Sequence, residues 1–239
     1  MSVAEKISGK IKKMPEGNTF KYQELSIGRD EYAAATKAME RLIKNGIIKR
    51  ASTGLFFKPK KTVFGLLNPD EQDLLRPYLF EGKKRIAYIT GGVLYNKLGL
   101  TTQVPRNIKI TSRDKRTEVT IGNMKVTSVK SYAEIDDKNY QILEILDAVK
   151  DFKTIPDINK SGAVKNLTKR LREIEDQKLL LKLILKYPPR VRAFAGALLE
   201  WAGKEKGLDS LKNSLNPLSS FKIGLNTEQL PTITNWNIT

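Results

Sequence analysis

The chain has 239 residues, with 43 Lys and Arg against 26 Asp and Glu, a formal charge of +17, and neither Cys nor His. That composition excludes Cys/His zinc sites, cysteine nucleophiles, Ser-His-Asp triads and histidine acid–base chemistry, and it offers no disulfide framework. Its 40% hydrophobic residues suffice for a buried core, and the cationic excess points to a polyanionic partner.

The excess is uneven: residues 1–65 carry 14 basic and 6 acidic side chains, 66–150 carry 14 and 11, and 151–239 carry 15 and 9. Residues 3–13 read as a first helix, with Val3, Ile7 and Ile11 at four-residue spacing and Ser2 as N-cap. Pro15 and Gly17 break it. Residues 19–25 read as a short strand or as the lead into a small second helix. Asp30 is a candidate N-cap for a helix over 30–45, on which Ala35, Ala38, Met39, Leu42 and Ile43 share one face. Asn45-Gly46 closes that helix. The apolar runs Ile47-Ile48 and Leu55-Phe56-Phe57, joined by a turn over 51–54 and ended by Pro59, read as a hairpin.

Helix, short helix, longer helix and hairpin is the order of a winged helix-turn-helix. Tyr32, Thr36, Lys37, Arg41 and Lys44 lie away from the apolar stripe of 30–45, where long polar side chains can meet base edges and phosphates. Arg29 precedes them, and Lys49, Arg50 and Lys58, with Lys60 and Lys61, make the hairpin basic. These are the candidate DNA-binding residues. The plain alternative is a solvated amphipathic helix beside a charged hairpin.

Beyond the hairpin, Asn68-Pro69-Asp70 starts a helix that carries Leu74, Leu75 and Tyr78 and is limited by Pro77. Residues 83–90 read as a strand and Gly91-Gly92 as the start of a short helix; Val104-Pro105 begins an extended piece in which Ile108 and Ile110 alternate as in a strand, and 117–121 and 124–129 read as paired strands around Gly122-Asn123. From Asn139 the pattern is helical: 139–150, 161–174, 176–187 and, after Pro188-Pro189, 190–204. The segment 207–239 is apolar enough to pack on the surface, through Leu215, Leu218, Phe221 and Trp236. The expected fold class is therefore α+β: a winged helix-turn-helix over 1–65, then a mixed domain over 66–239. The latter comprises a small antiparallel β region (66–135), a helical part (136–206) and a packed tail (207–239).

Chemistry-bearing motifs are few. Gly91, Gly92 and Gly99 lack the spacing of a phosphate loop, so they are read as sites of close helix–sheet approach. Glu118 is followed by Val119 and Thr120, without the carboxylate-x-Lys arrangement of metal-dependent nucleases. Thr101, Thr102 and Gln103 have two readings, a polar surface for a partner or nucleic acid, or the caps of a turn. Lys165, Lys169 and Arg170 also have two, a second polyanion surface or a solvated helix face. No cofactor, metal or catalytic residue is expected. The N-terminus has no signal-peptide core and no run is long enough to span a membrane, so a soluble, cytoplasmic protein is expected.

Three blocks resemble the AbiEi-type antitoxins of the abortive-infection, type IV toxin–antitoxin family: RLIKNGIIKRASTGLFFKPKKTVFG (41–65), GGVLYNKLGLTTQVP (91–105) and SLNPLSSFKIGL…LP…WNI (214–238). Thr111 stands where that family has a following strand threonine. Phe56 or Phe57 stands where it commonly has Tyr. The resemblance implies a winged helix that represses its own operon at inverted repeats in promoter DNA, and a C-terminal domain that opposes a nucleotidyltransferase-like toxin. The alternatives are a protein-interaction module on a winged-helix scaffold and, less favoured, a nucleic-acid-processing enzyme.

Overall fold

A computed structural model describes residues 2–63 and 65–239. It divides into two compact units, one made of 1–84 and 117–126, the other of 85–116 and 127–239. The fold is mixed α+β, with small antiparallel sheets and a helical C-terminal part.

In the first unit, α1 (Val3–Lys13) starts at Ser2 with a reciprocal cap: the Ser2 hydroxyl accepts from the Glu5 N–H at 3.2 Å, and the Glu5 carboxylate accepts from the Ser2 N–H at 2.8 Å. Its apolar spacing buries Ile7 and Ile11. The stretch after Gly17 is both a strand, β1 (Thr19–Lys21), and a 3₁₀ turn (Tyr22–Leu25). The long helix α2 (Tyr32–Lys44) buries Ala35, Ala38, Met39 and Leu42. Asp30 does not cap it. It lies inside a 3₁₀ turn (Arg29–Glu31), and the adjacent Glu31 carboxylate takes the Gly28 N–H at 3.1 Å. Asn45 and Gly46 do close the helix, Gly46 at φ +69°.

The hairpin is shifted from its expected place. Ile47-Ile48 is not a strand, and Ile48 is fully buried in the core. The strands are β2 (Lys49–Ser52) and β3 (Leu55–Phe57), with a bulge between Arg50 and Ser52. Sheet order is β1-β3-β2, so the all-apolar β3 is central and the polar β2 is an edge. A second hairpin, β4 (Lys60–Thr62) and β5 (Gly65–Leu67), follows after Pro59.

The first unit does not end near residue 65. Asp70 caps α3 (Glu71–Leu79), accepting from the Asp73 N–H at 2.8 Å. Pro77 sits inside α3 and has no N–H for the carbonyl of Asp73 four residues back. The Thr19 hydroxyl of β1 donates to that carbonyl instead, and Lys21 Nζ donates to the Pro77 carbonyl at 2.6 Å while lying 3.5 Å from the Tyr78 ring centre. These bonds tie α3 to β1. The two-residue pair β6 (Phe80–Glu81) and β7 (Lys84–Arg85) comes next.

In the second unit, β8 (Ala87–Thr90) runs antiparallel to β9 (Asn107–Ser112), with Tyr88 opposite Thr111. Helix α4 (Gly92–Lys97) lies between them in sequence. Of the two strands that turn at Gly122, φ +57°, β10 (Glu118–Ile121) belongs to the first unit and β11 (Met124–Lys130) begins in the first unit and ends in the second. Helices α5 (Tyr140–Asp151), α6 (Lys160–Glu173), α7 (Gln177–Ile184) and α8 (Pro189–Trp201) surround a large core. The remaining segment, with α9 (Leu208–Lys212), wraps α8. Phe221 and Trp236 are buried and Leu215 packs at the rim, but Leu218 is 93% exposed and packs nowhere. Trp236 lies so close to Gly196 that a Cβ there would sit 2.3 Å from its ring, which requires glycine at that point of α8.

Candidate nucleic-acid interface

On α2 the steps of four, three and four residues place Ala33, Lys37, Glu40 and Lys44 on the ridge opposite the buried stripe, all of them exposed. Tyr32 and Thr36 flank the ridge on one side and Arg41 on the other. The Tyr32–Thr36 flank continues into neighbouring elements. The Tyr22 ring is 6.1 Å from Tyr32 and 5.6 Å from Phe56, its hydroxyl is 3.4 Å from Thr36 Oγ1, and the Arg50 guanidinium lies 5.9 Å from the Phe56 ring centre. Thus Tyr32, Thr36 and Arg50 gather around an aromatic platform.

Arg29 is exposed in the turn before α2, and Lys49 is half-buried at the start of β2. Lys58 has another use. Its ammonium donates to the carbonyls of Lys12 at 3.1 Å and Met14 at 2.8 Å, the open acceptors at the end of α1. Glu31 is held below the usual carboxylate range by its hydrogen bond to Lys6, 3.0 Å away, and by the Gly28 N–H. Glu40, absent from the sequence-based candidates, has no ion-pair partner among the described residues although Lys44 follows at the favourable four-residue spacing.

The candidates of the second unit are engaged within it. The Thr101 hydroxyl accepts from the Gln103 N–H at 3.2 Å, and the Gln103 side-chain amide donates to Asp157. Asn96 reaches the carbonyls of Thr101 and Gln103, which leaves Thr102 exposed on a closed turn. On α6, Lys165 is exposed, Lys169 pairs with Glu173 at 3.9 Å, and Arg170 donates to Asn166 at 2.6 Å. Gly92 is a packing glycine, since a Cβ there would lie 2.9 Å from Pro105.

The densest polar cluster was not foreseen. The Asp147 carboxylate, 1% exposed, accepts from Tyr88, Thr90 and Thr111 at 3.0, 2.9 and 3.0 Å and from Tyr187 at 3.1 Å, with Lys150 Nζ 3.4 Å away. Burial and the Asp147 charge push the phenols of Tyr88 and Tyr187 far up, so both stay protonated donors. Glu144 and Asp151 lie on the same helix face. Glu144 is raised by burial, with Lys97 3.2 Å away opposing the rise, and Asp151 accepts from Tyr95. The spacing of Glu144, Asp147 and Asp151 in a mostly apolar helix is the available signal. Because the carboxylate of Asp147 is surrounded by its own donors, the cluster joins α5 to β8 and β9 and presents no free group to a ligand. Among the described residues, no group of three or more His, Cys, Asp or Glu side chains is placed to hold a metal ion, and no helix is long and apolar enough to cross a membrane.

The model of a family of unknown function, DUF6088, matches residues 6–179. No curated protein matches the chain. Among solved structures, the RV2827C protein from Mycobacterium tuberculosis is similar at a TM-score of 0.51 and 13% identity, over 91% of this chain and 83% of that one. That likeness is one of fold.

Proposed function

This chain belongs to the DUF6088 family, and we propose that it is a DNA-binding regulator whose first unit works as a winged helix-turn-helix. The observation that supports this best is the division of α2: Ala35, Ala38, Met39 and Leu42 hold it to the core, while Lys37, Arg41 and Lys44 face out beside the Tyr32–Thr36 platform. In this reading α2 lies in the major groove, its long polar side chains meet base edges, and Arg29, Lys49 and Arg50 hold phosphates. Glu40, in the middle of the ridge, favours a base amino group over phosphate.

The resemblance of three sequence blocks to AbiEi-type antitoxins extends the proposal. The DNA is the chain's own promoter, with inverted repeats, and binding represses the operon. The second unit counteracts a nucleotidyltransferase-like toxin. The protein acts in the cytoplasm by binding, without catalysis, cofactor or metal. A gel-shift titration of the full chain on its upstream promoter DNA and on shuffled DNA of equal length tests the core of this. A Lys37→Ala, Arg41→Ala variant is expected to lose the preference for promoter DNA. Equal binding of both fragments by the unaltered protein sinks the reading.

A further inference from the structure

The β4–β5 ribbon carries side chains that the first unit does not bury. Val63 is 94% exposed, Leu66 46% and Leu67 56%. Antiparallel register sets Lys61 opposite Leu66 and Lys60 opposite Leu67. Side chains alternate across a strand, so each ribbon face carries one lysine and one leucine. Lys60 and Leu67 line a cleft with Pro15–Asn18, Asn68–Asp70, Asp73 and Arg76, so that Glu16, Asp70 and Asp73 are on its wall. Lys61 and Leu66 therefore lie on the outer face. The Lys61 N–H donates to Glu16 at 3.3 Å, which fixes the root of the ribbon against the turn after α1.

The ribbon's root is cationic. Exposed Lys12 and Lys13 end α1, and Lys49 is opposite Phe57, three residues before the ribbon starts at Lys60. Apolar side chains flanked by lysines are poorly suited to a second copy of the same chain, because paired ribbons would bring five like charges on each side together. They are well suited to a duplex, where cations take phosphates and an apolar wedge enters between base steps from the minor groove.

We propose that the outer face of the β4–β5 ribbon is a second DNA contact, with Val63 and Leu66 as a minor-groove wedge and Lys61 on the adjacent backbone. This rests on the reading of α2 as a DNA-binding helix. It adds an expectation that α2 alone does not give: the DNA is bent. Minor-groove wedges bend the duplex by about 20–90°.

The test uses the full chain and its promoter fragment labelled at both ends for energy transfer, together with unlabelled promoter and shuffled fragments. The unaltered protein is expected to prefer the promoter and to shorten the end-to-end distance. Val63→Ser with Leu66→Ser is expected to remove the shortening and weaken binding at least about tenfold, while the preference for promoter over shuffled DNA survives. Lys61→Ala is expected to lower the salt slope by about one. Val63→Ser alone, at an almost fully exposed position, serves if the pair fails to fold. A bend and an affinity unchanged in these variants overturn the ribbon's role and leave α2 standing. Loss of self-association without loss of the bend assigns the ribbon to a second copy and likewise overturns it. Absence of promoter preference in the unaltered protein is the separate failure of the α2 reading.

Discussion

In the second unit the chemistry-bearing side chains turn inward. Asp147 collects four hydroxyl donors and a lysine, Asn166 bridges Arg170 and the Leu98 carbonyl, and the Trp236 indole donates to Glu200. In the first unit the corresponding residues turn outward. Lys37, Glu40, Arg41 and Lys44 have no ion-pair partner among the described residues, and Val63 lies open on the ribbon. The second unit also holds much the larger apolar core, so polar closure and core size go together there. A closed polar network specifies packing, because each buried charge must be matched. An open cationic face contributes nothing to folding through pairing, and it is the available surface for a polyanion.

Opening the closed network is the strongest way to break this contrast. Asp147→Ala leaves the hydroxyls of Tyr88, Thr90, Thr111 and Tyr187 without their shared acceptor and Lys150 with one carboxylate fewer. A loss of about 3–5 kcal/mol is expected in denaturant unfolding. A loss below about 1 kcal/mol would show that the cluster is not a packing device. Next in size is Gly196→Ala, which places a methyl 2.3 Å from the Trp236 ring and must move the tail. A cost of about 1–3 kcal/mol is expected, accompanied by a blue- or red-shifted tryptophan emission. Unchanged emission and melting would contradict the close packing.

Glu40→Gln sharpens the contrast on the open side. Removing a negative charge from the ridge should raise affinity for shuffled DNA more than for promoter DNA, lowering their ratio by several-fold, about 1 kcal/mol. An unaltered ratio would make Glu40 an ordinary surface charge. The smallest effect concerns pH. Glu144 has a raised pKa in the folded chain, chiefly through burial. Its contribution is therefore fully present below the ordinary carboxylate range and lost as pH rises through the raised value. Urea midpoints of Glu144→Gln should show a weaker decline over that window than those of the unaltered chain. Parallel pH profiles would remove Glu144 from the account.

Much of α2 was legible because its apolar residues recur at helical spacing and Asn45-Gly46 supplies the stop. The hairpin after it was displaced for a physical reason. Ile47-Ile48 reads as a strand by hydrophobicity, but Ile48 is needed in the core, whereas β2 is an edge strand and can be as polar as Lys-Arg-Ala-Ser. The extent of the first unit was hidden in long-range bonds. No local pattern indicates that Thr19 serves the carbonyl left open by Pro77, which ties α3 to β1. Lys58 read as one more cation, and only the fold shows it donating to the end of α1. The carboxylates of α5 were visible at helical spacing, but their donors come from β8, β9 and Tyr187, far apart in sequence. Leu218 looks like a packing residue by type and remains in solvent.

The most direct test of the central claim is the gel-shift titration of the full chain on promoter and shuffled DNA at physiological salt. Expected is a preference for promoter DNA of about a thousandfold or more, abolished by Lys37→Ala with Arg41→Ala. Equal, equally salt-sensitive binding to both fragments, unaffected by those substitutions, would mean that the outward face of α2 is only a charged surface.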